Sequence, residues 1–196
     1  MKFSHFLLLS LFALNIACTS SDDNYQPILS SFNVSNLVSI PNSSPTYNLN
    51  DTLYLDLNVP LSITTDANET ISLTELVPNA QFAEFYLFRY KKADTLRKTP
   101  IPFKTTDVFI SKGTGRLAAD GIALTATKDT TAYKVRLGIK LNTAGEFFFG
   151  PYNQTTVDAF YTVLQDAKTL DIVELKTSIS GQTPGNRFSF EVLDEE

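Results

Sequence analysis

Glu75, Glu84, Asp107, Asp120 and Glu146 are the side chains best suited to chemistry in this chain, because carboxylates are nearly all that it offers for catalysis. Paired Asp or Glu residues roughly 5–10 Å apart cleave glycosidic bonds by acid/base or nucleophilic steps. No spacing among these five singles out a pair, and isolated carboxylates are ordinarily solvated strand and turn residues. The other catalytic residue types are nearly absent. The single histidine is His5, the single cysteine Cys18 and the single methionine Met1, all within the first eighteen residues, and there is no tryptophan. The remainder therefore lacks disulfides, His or Cys metal sites, Ser-His-Asp and Cys-His nucleophiles, and haem or iron–sulfur ligation through those residues.

Oxygen-rich and glycine-rich turns add little. Asp66-Ala67-Asn68-Glu69 is the densest set of oxygen ligands, but it lacks the glycine and the length of an EF-hand loop and reads as an Asx-type turn. Gly113-Thr114-Gly115-Arg116 is followed by no Lys-Ser/Thr and opens no helix, so it reads as a turn between strands and not as a phosphate cradle. No metal and no cofactor is expected. Aromatic surface is the better prospect for binding. Tyr86, Phe88 and Tyr90 share one face of a predicted strand, with Phe85, Leu87 and Arg89 on the other. If the first set is outward, it forms a flat stripe able to stack on sugar rings. The opposite assignment, or a sheet covered on both faces, remains open.

Strands must position these residues. Leu53, Leu55, Leu57, Val59, Leu61 and Ile63 are apolar at every second position, as are Val135, Leu137, Ile139 and Leu141, and again Phe188, Phe190 and Val192. Between them Ile71 to Leu76, Phe82 to Tyr90, Asp107 to Ser111, Ile122 to Thr127 and Glu146 to Phe149 are rich in β-branched or aromatic residues. Turn chemistry separates them, as at Pro41-Asn42-Ser43-Ser44-Pro45, Asp120-Gly121 and Pro184-Gly185-Asn186. The pattern predicts an all-β fold, an antiparallel immunoglobulin-like sandwich. One stretch reads differently. Val157, Phe160, Tyr161 and Leu164 fall at helical spacing without Gly or Pro, which predicts a short helix near 156–167, although its Thr and Val residues also suit a strand.

The N-terminus has the layout of an export signal: Lys2, an apolar run from Phe6 to Leu14, then small or neutral residues up to Cys18. That run is too short to cross a bilayer, which takes roughly 20 residues. Ile16-Ala17-Cys18 resembles the end of a bacterial lipobox, with Asn15 where that family usually carries Leu. The resemblance implies cleavage before Cys18 and acylation of its thiol, a palmitate-type anchor. An ordinary signal peptide is the alternative. The following Thr19-Ser20-Ser21-Asp22-Asp23-Asn24 resembles the acidic export tag of Bacteroidota surface lipoproteins, in which Ser21, Asp22 and Asp23 would direct the protein to the outer face of the outer membrane. A polar tether of a periplasm-facing or secreted protein is the other reading.

The resemblance extends into the domain through Tyr47-Asn48-Leu49-Asn50-Asp51-Thr52-Leu53-Tyr54-Leu55 and Gly145-Glu146-Phe147-Phe148-Phe149, which resemble strands of small β-rich lipoproteins of that group. Asp51-Thr52-Leu53, Asp94-Thr95-Leu96 and Asp129-Thr130-Thr131 resemble the group's O-glycosylation acceptor, implying Thr52, Thr95 and Thr130 as modification sites. Asn33, Asn42, Asn50, Asn68 and Asn153 open Asn-x-Ser/Thr sequons that matter only in a eukaryotic secreted chain.

The expected organisation is a signal peptide over 1–17, a lipidated Cys18 with a flexible tether over 18–30, and one β-sandwich domain over 31–196. Removing residues 1–17 takes away Lys2 alone among the charges, so the formal net charge moves from −5 to −6. An acidic domain repels phosphate backbones, which argues against nucleic acid and anionic lipid as partners. The expected function is a non-enzymatic binding or accessory module, anchored through its lipid, with a glycan or protein ligand. A carboxylate-dependent glycan hydrolase and a structural envelope component are the alternatives.

Overall fold

A computed structural model describes residues 25–152, 159–180 and 187–194. Cys18, Ser21, Asp22, Asp23 and the Asn153 sequon lie outside the described residues. The alternating segments fold as strands. In chain order these are β1 (Leu29–Asn33), β2 (Val38–Ser39), β3 (Thr46–Asn48), β4 (Thr52–Pro60), β5 (Ser62–Thr64), β6 (Thr70–Ser72), β7 (Phe82–Lys91) and β8 (Val108–Lys112). They continue with β9 (Thr114–Leu117), β10 (Ile122–Lys128), β11 (Ala132–Lys140), β12 (Gly145–Gly150), β13 (Phe160–Gln165), β14 (Ile172–Thr177) and β15 (Phe188–Leu193). The fold is all-β.

The main sheet runs β1-β14-β13-β7-β10-β11-β4-β2 in hydrogen-bonding order. It curls until its ends meet: Val38 of β2 forms a parallel bridge to Ile179, just beyond β14, and the Ser180 N–H donates to the Val38 carbonyl at 2.9 Å. Curling lets one apolar face close on itself, as in a sandwich whose two walls are parts of one sheet. Leu53, Leu55, Leu57 and Val59 from β4 meet Val135, Leu137 and Ile139 from β11 in that interior, as alternation predicts. β12, β15 and β3 extend the sheet from the far half of β7, which pairs with β10 through Phe82–Leu87 and with β12 through Phe88–Lys91. Pairing is antiparallel except for β1 with β14 and β15 with β3, where chain segments far apart in sequence run side by side in the same direction.

Three expectations are corrected. The helix near 156–167 is not formed over Phe160–Gln165, which is strand β13, paired to β14 on one edge and β7 on the other. Phe160, Thr162 and Leu164 point into the core. Because the middle one is polar, the apolar alternation is broken, and Phe160, Tyr161 and Leu164 imitate helical spacing instead. Residues 156–158 lie outside the described residues. Ile71 to Leu76 is strand only at β6 (Thr70–Ser72). Leu73–Leu76 then forms one helical turn, with the Val77 N–H donating to the Leu73 carbonyl at 2.9 Å. The turn places Leu73 and Val77, four residues apart, together in the core. Order also begins before the expected domain start at 31. β1 opens at Leu29, and the Tyr25 hydroxyl and the Ile28 N–H both donate to Asp171.

Candidate functional site

Strand alternation sets Tyr86 on the outer face of β7. Phe85 and Leu87 on either side are fully buried, whereas Tyr86 keeps 43% of its surface exposed. Tyr161 on β13 is turned outward in the same way, between buried Phe160 and Thr162. Phe88, the next outward residue of β7, packs against Tyr152 with ring centroids 4.9 Å apart and planes at 38°. These four rings, with Pro151, Ala159 and an edge of Phe160, line an open groove of about 290 Å³. Its floor is fixed from below, because Phe160 packs on Phe85 at 5.7 Å between centroids.

Polar groups lie beside the groove on the same outer face. Lys176 on β14 is in register with Tyr161. Glu84 on β7 and Glu174 on β14 are both in register with Val163 of the strand between them. The two carboxylates therefore share the outer face about two strand spacings apart, roughly 10 Å between backbones. Ser31 Oγ donates to Glu174 Oε1 at 3.1 Å. The Tyr161 phenol is pushed up, first by burial and then by the Glu174 charge, so it stays a neutral hydrogen-bond donor at ordinary pH. Flat rings beside phenol donors and carboxylate acceptors make a surface that can stack on a sugar ring and bond its hydroxyls.

The predicted aromatic stripe is half realised. Tyr86 and Phe88 reach the groove, but Tyr90 is fully buried, its ring stacked on Phe148 at 5.1 Å and its hydroxyl donating to the Pro151 carbonyl at 3.3 Å. At Tyr90 the outer face of β7 is covered by Phe148 of β12 and by Pro151. On its other face Arg89 lies over Phe103 and Phe147, 5.1 and 5.7 Å from their centroids. Tyr161, Tyr152, Glu174 and Lys176 were missed. Reading 156–167 as helix hid Tyr161, and β14, whose Val173 and Leu175 alternate with Glu174 and Lys176, lies outside the expected strands.

The five carboxylates singled out in the sequence are dispersed. Glu75 is in the helical turn and Asp120 in the turn before β10. Asp107 is buried and accepts hydrogen bonds from Thr106 Oγ1 and Asn142 Nδ2, each at 2.8 Å. Glu146 is ion-paired with Lys92. Only Glu84 adjoins the groove. Asp66 accepts the Ser35 N–H at 2.9 Å at the tip of the β5–β6 hairpin, and Asn68 there has φ 63°. Among the described residues, no group of three or more His, Cys, Asp or Glu side chains gathers to hold a metal ion. Gly113, with φ 76°, links β8 to β9 as a turn.

Thr95 and Thr130 are exposed in turns and Thr52 is half-buried at the start of β4. The Asp before each has a local role. Asp51 accepts the Asn48 N–H, Asp94 the N–H groups of Lys98 and Thr99, and Asp129 those of Thr131 and Ala132. Hydrogen bonds from Thr99 and Lys98, in that order, hold Asp94 below the ordinary carboxylate range. Each Asp thus fixes its own turn through backbone N–H groups, and Asp129, bonded to the N–H two residues on, does so as an Asx turn. Asn33, Asn42, Asn50 and Asn68 are exposed.

A second cleft, of about 550 Å³, lies between β4, β8 and β11 and is lined by Asp56, Asn58, Lys112, Lys134 and Arg136. Its charges satisfy one another. Arg136 donates from Nε and Nη2 to the two Asp56 oxygens at 2.6 Å each, and Asp129 takes Lys134 at 2.9 Å and Lys112 at 3.4 Å. The aromatic groove, with apolar faces open to solvent, is the better candidate.

No protein-family model matches the chain, and no curated protein matches it. Among solved structures it is similar to the CupB6 tip adhesin from Pseudomonas aeruginosa, at 16% identity, over 80% of this chain and 42% of that one. The TM-score is 0.21, too low to establish a shared fold.

Proposed function

We propose that this chain is a lipid-anchored protein of the outer membrane, facing the cell surface, whose β domain binds a glycan and does not turn it over. The groove carries this reading: Tyr86, Phe88, Tyr152 and Tyr161 line it on one outer face, and Glu84, Glu174 and Lys176 lie on the same face at neighbouring strand positions. Sugar rings pack their C–H faces on such aromatic surfaces while their hydroxyls bond polar groups beside them. Cys18 supplies the anchor, since two or three acyl chains hold stably where one is marginal. Ser21, Asp22 and Asp23 supply the sorting signal.

The test is a polysaccharide and glycan array probed with the purified protein and with a Tyr86→Ala/Tyr161→Ala variant. Binding by the first and not by the second supports the reading. A hydrolase is the second reading, favoured by Glu84 and Glu174 on one face beside the rings. Release of reducing ends from an array hit, abolished by Glu84→Gln or Glu174→Gln, would replace the binding module with that enzyme.

A further inference from the structure

We infer that the end of the β domain from which the N-terminal segment departs rests on a zwitterionic lipid bilayer surface. The inference takes the acylation of Cys18, proposed above, as its premise. Six exposed apolar side chains gather at that end. Tyr25, Ile28 and Leu29 lead into β1, Leu76 closes the helical turn, Phe82 opens β7, and Leu170 lies in the turn between β13 and β14.

Hydrogen bonds and strand register bring these segments together. Leu29 is in register with Ile172, and Ile172 with Gln165. The Tyr25 hydroxyl and the Ile28 N–H both donate to Asp171, the residue after Leu170. Asn79, between Leu76 and Phe82, donates its backbone N–H to Asp166 in the same turn at 2.7 Å. Single exposed apolar residues are ordinary on a protein surface, whereas several on one end mark a contact.

The covalent lead decides what covers this end. Six residues separate Cys18 from Tyr25, and the seven residue-to-residue steps span at most about 25 Å when fully extended. β7 alone has ten residues, which as a strand is roughly 33 Å. An anchor on so short a lead, tied down at Asp171, holds the apolar end toward the bilayer and the opposite end away from it. Lys128, Lys134 and Lys168 near this end are outnumbered by Glu75, Asp129, Asp166 and Asp171. It therefore offers no cationic excess to anionic headgroups, and apolar contact with a zwitterionic surface is what remains.

The chain has no tryptophan, so one introduced tryptophan reports alone. The full chain, exported and processed by a bacterial host, is reconstituted into phosphatidylcholine vesicles with brominated acyl chains, and its intact mass is recorded. Leu170→Trp is expected to lose fluorescence relative to unbrominated vesicles. Leu96→Trp, an exposed site beyond the far end of β7, is expected to keep it. Acylated protein in which Leu170→Trp keeps its emission overturns the docking while the anchor stands. Dimers by sedimentation together with that result identify a second copy as the occupant. A mass without acyl groups overturns the premise and the inference with it.

Discussion

Replacing Thr162 by Val should stabilise the protein. Thr162 lies at the centre of β13, 0% exposed, and its Oγ1 has no hydrogen-bond partner among the described residues. An unpaired hydroxyl in an apolar interior costs about 1–3 kcal/mol. Valine keeps the branched shape and the χ1 restriction of threonine, so neither a cavity nor new side-chain entropy offsets the gain. At the low end, about 1 kcal/mol corresponds to a Tm rise of about 2–4 °C for a domain of this size. Thr162→Ala separates the hydroxyl from the packing: it removes the same polar group but also a methyl, worth about 0.8 kcal/mol, and should fall below the Val variant. Urea unfolding followed by circular dichroism measures both, with an unchanged m-value required for comparison. A Val variant less stable than the parent would refute the reasoning, because it would mean that the hydroxyl has a partner in the folded protein.

Burial pushes the Tyr90 phenol up to about 12 from its ordinary value of 10.0. The unfolded chain ionises first, so stability intact below pH 10 is lost as pH rises from 10 toward 12. Tyr90→Phe should reduce that loss in urea titrations across this range, and an unchanged profile would contradict the assignment. Gly113→Ala should cost more than Gly138→Ala in the same assay. At Gly113 φ is 76° and a Cβ would meet the Thr125 carbonyl oxygen at 2.7 Å, whereas at Gly138 it would meet the tip of the exposed Phe109 ring at 2.2 Å, which can swing away. Cys18→Ser should release the protein from the membrane fraction. Asp22→Ala with Asp23→Ala should leave acylation intact while reducing digestion of the protein by protease added to whole cells.

Legibility in the sequence followed how far each element obeys a single period. β4 alternates throughout and β11 keeps its inner face in alternation, although its outward Ala132 and Gly138 are buried as well, and the inner faces could be read from Leu53 to Val59 and from Val135 to Ile139. β13 was misread because Thr162 interrupts the apolar face. β7 was only half legible because its alternation slips between Leu87 and Tyr90, where it changes partners, and no local signal in Phe88-Arg89 marks that change. The candidate site inherits the same limit. Tyr86 and Phe88 were readable as a stripe, but Tyr152, Tyr161 and the Glu84–Glu174 pair depend on which strands become neighbours, which is set by long-range pairing.

The most direct test of the account is the affinity of the purified protein for a glycan that it captures, compared with that of the Tyr86→Ala/Tyr161→Ala variant by isothermal titration. Aromatic contacts of about 0.5–1.5 kcal/mol each predict at least a several-fold loss of affinity on removing two rings. Because Tyr86 and Tyr161 lie on the outer face, the thermal midpoint should remain close to that of the parent. Equal affinity in parent and variant would contradict the claim that the groove is the binding site.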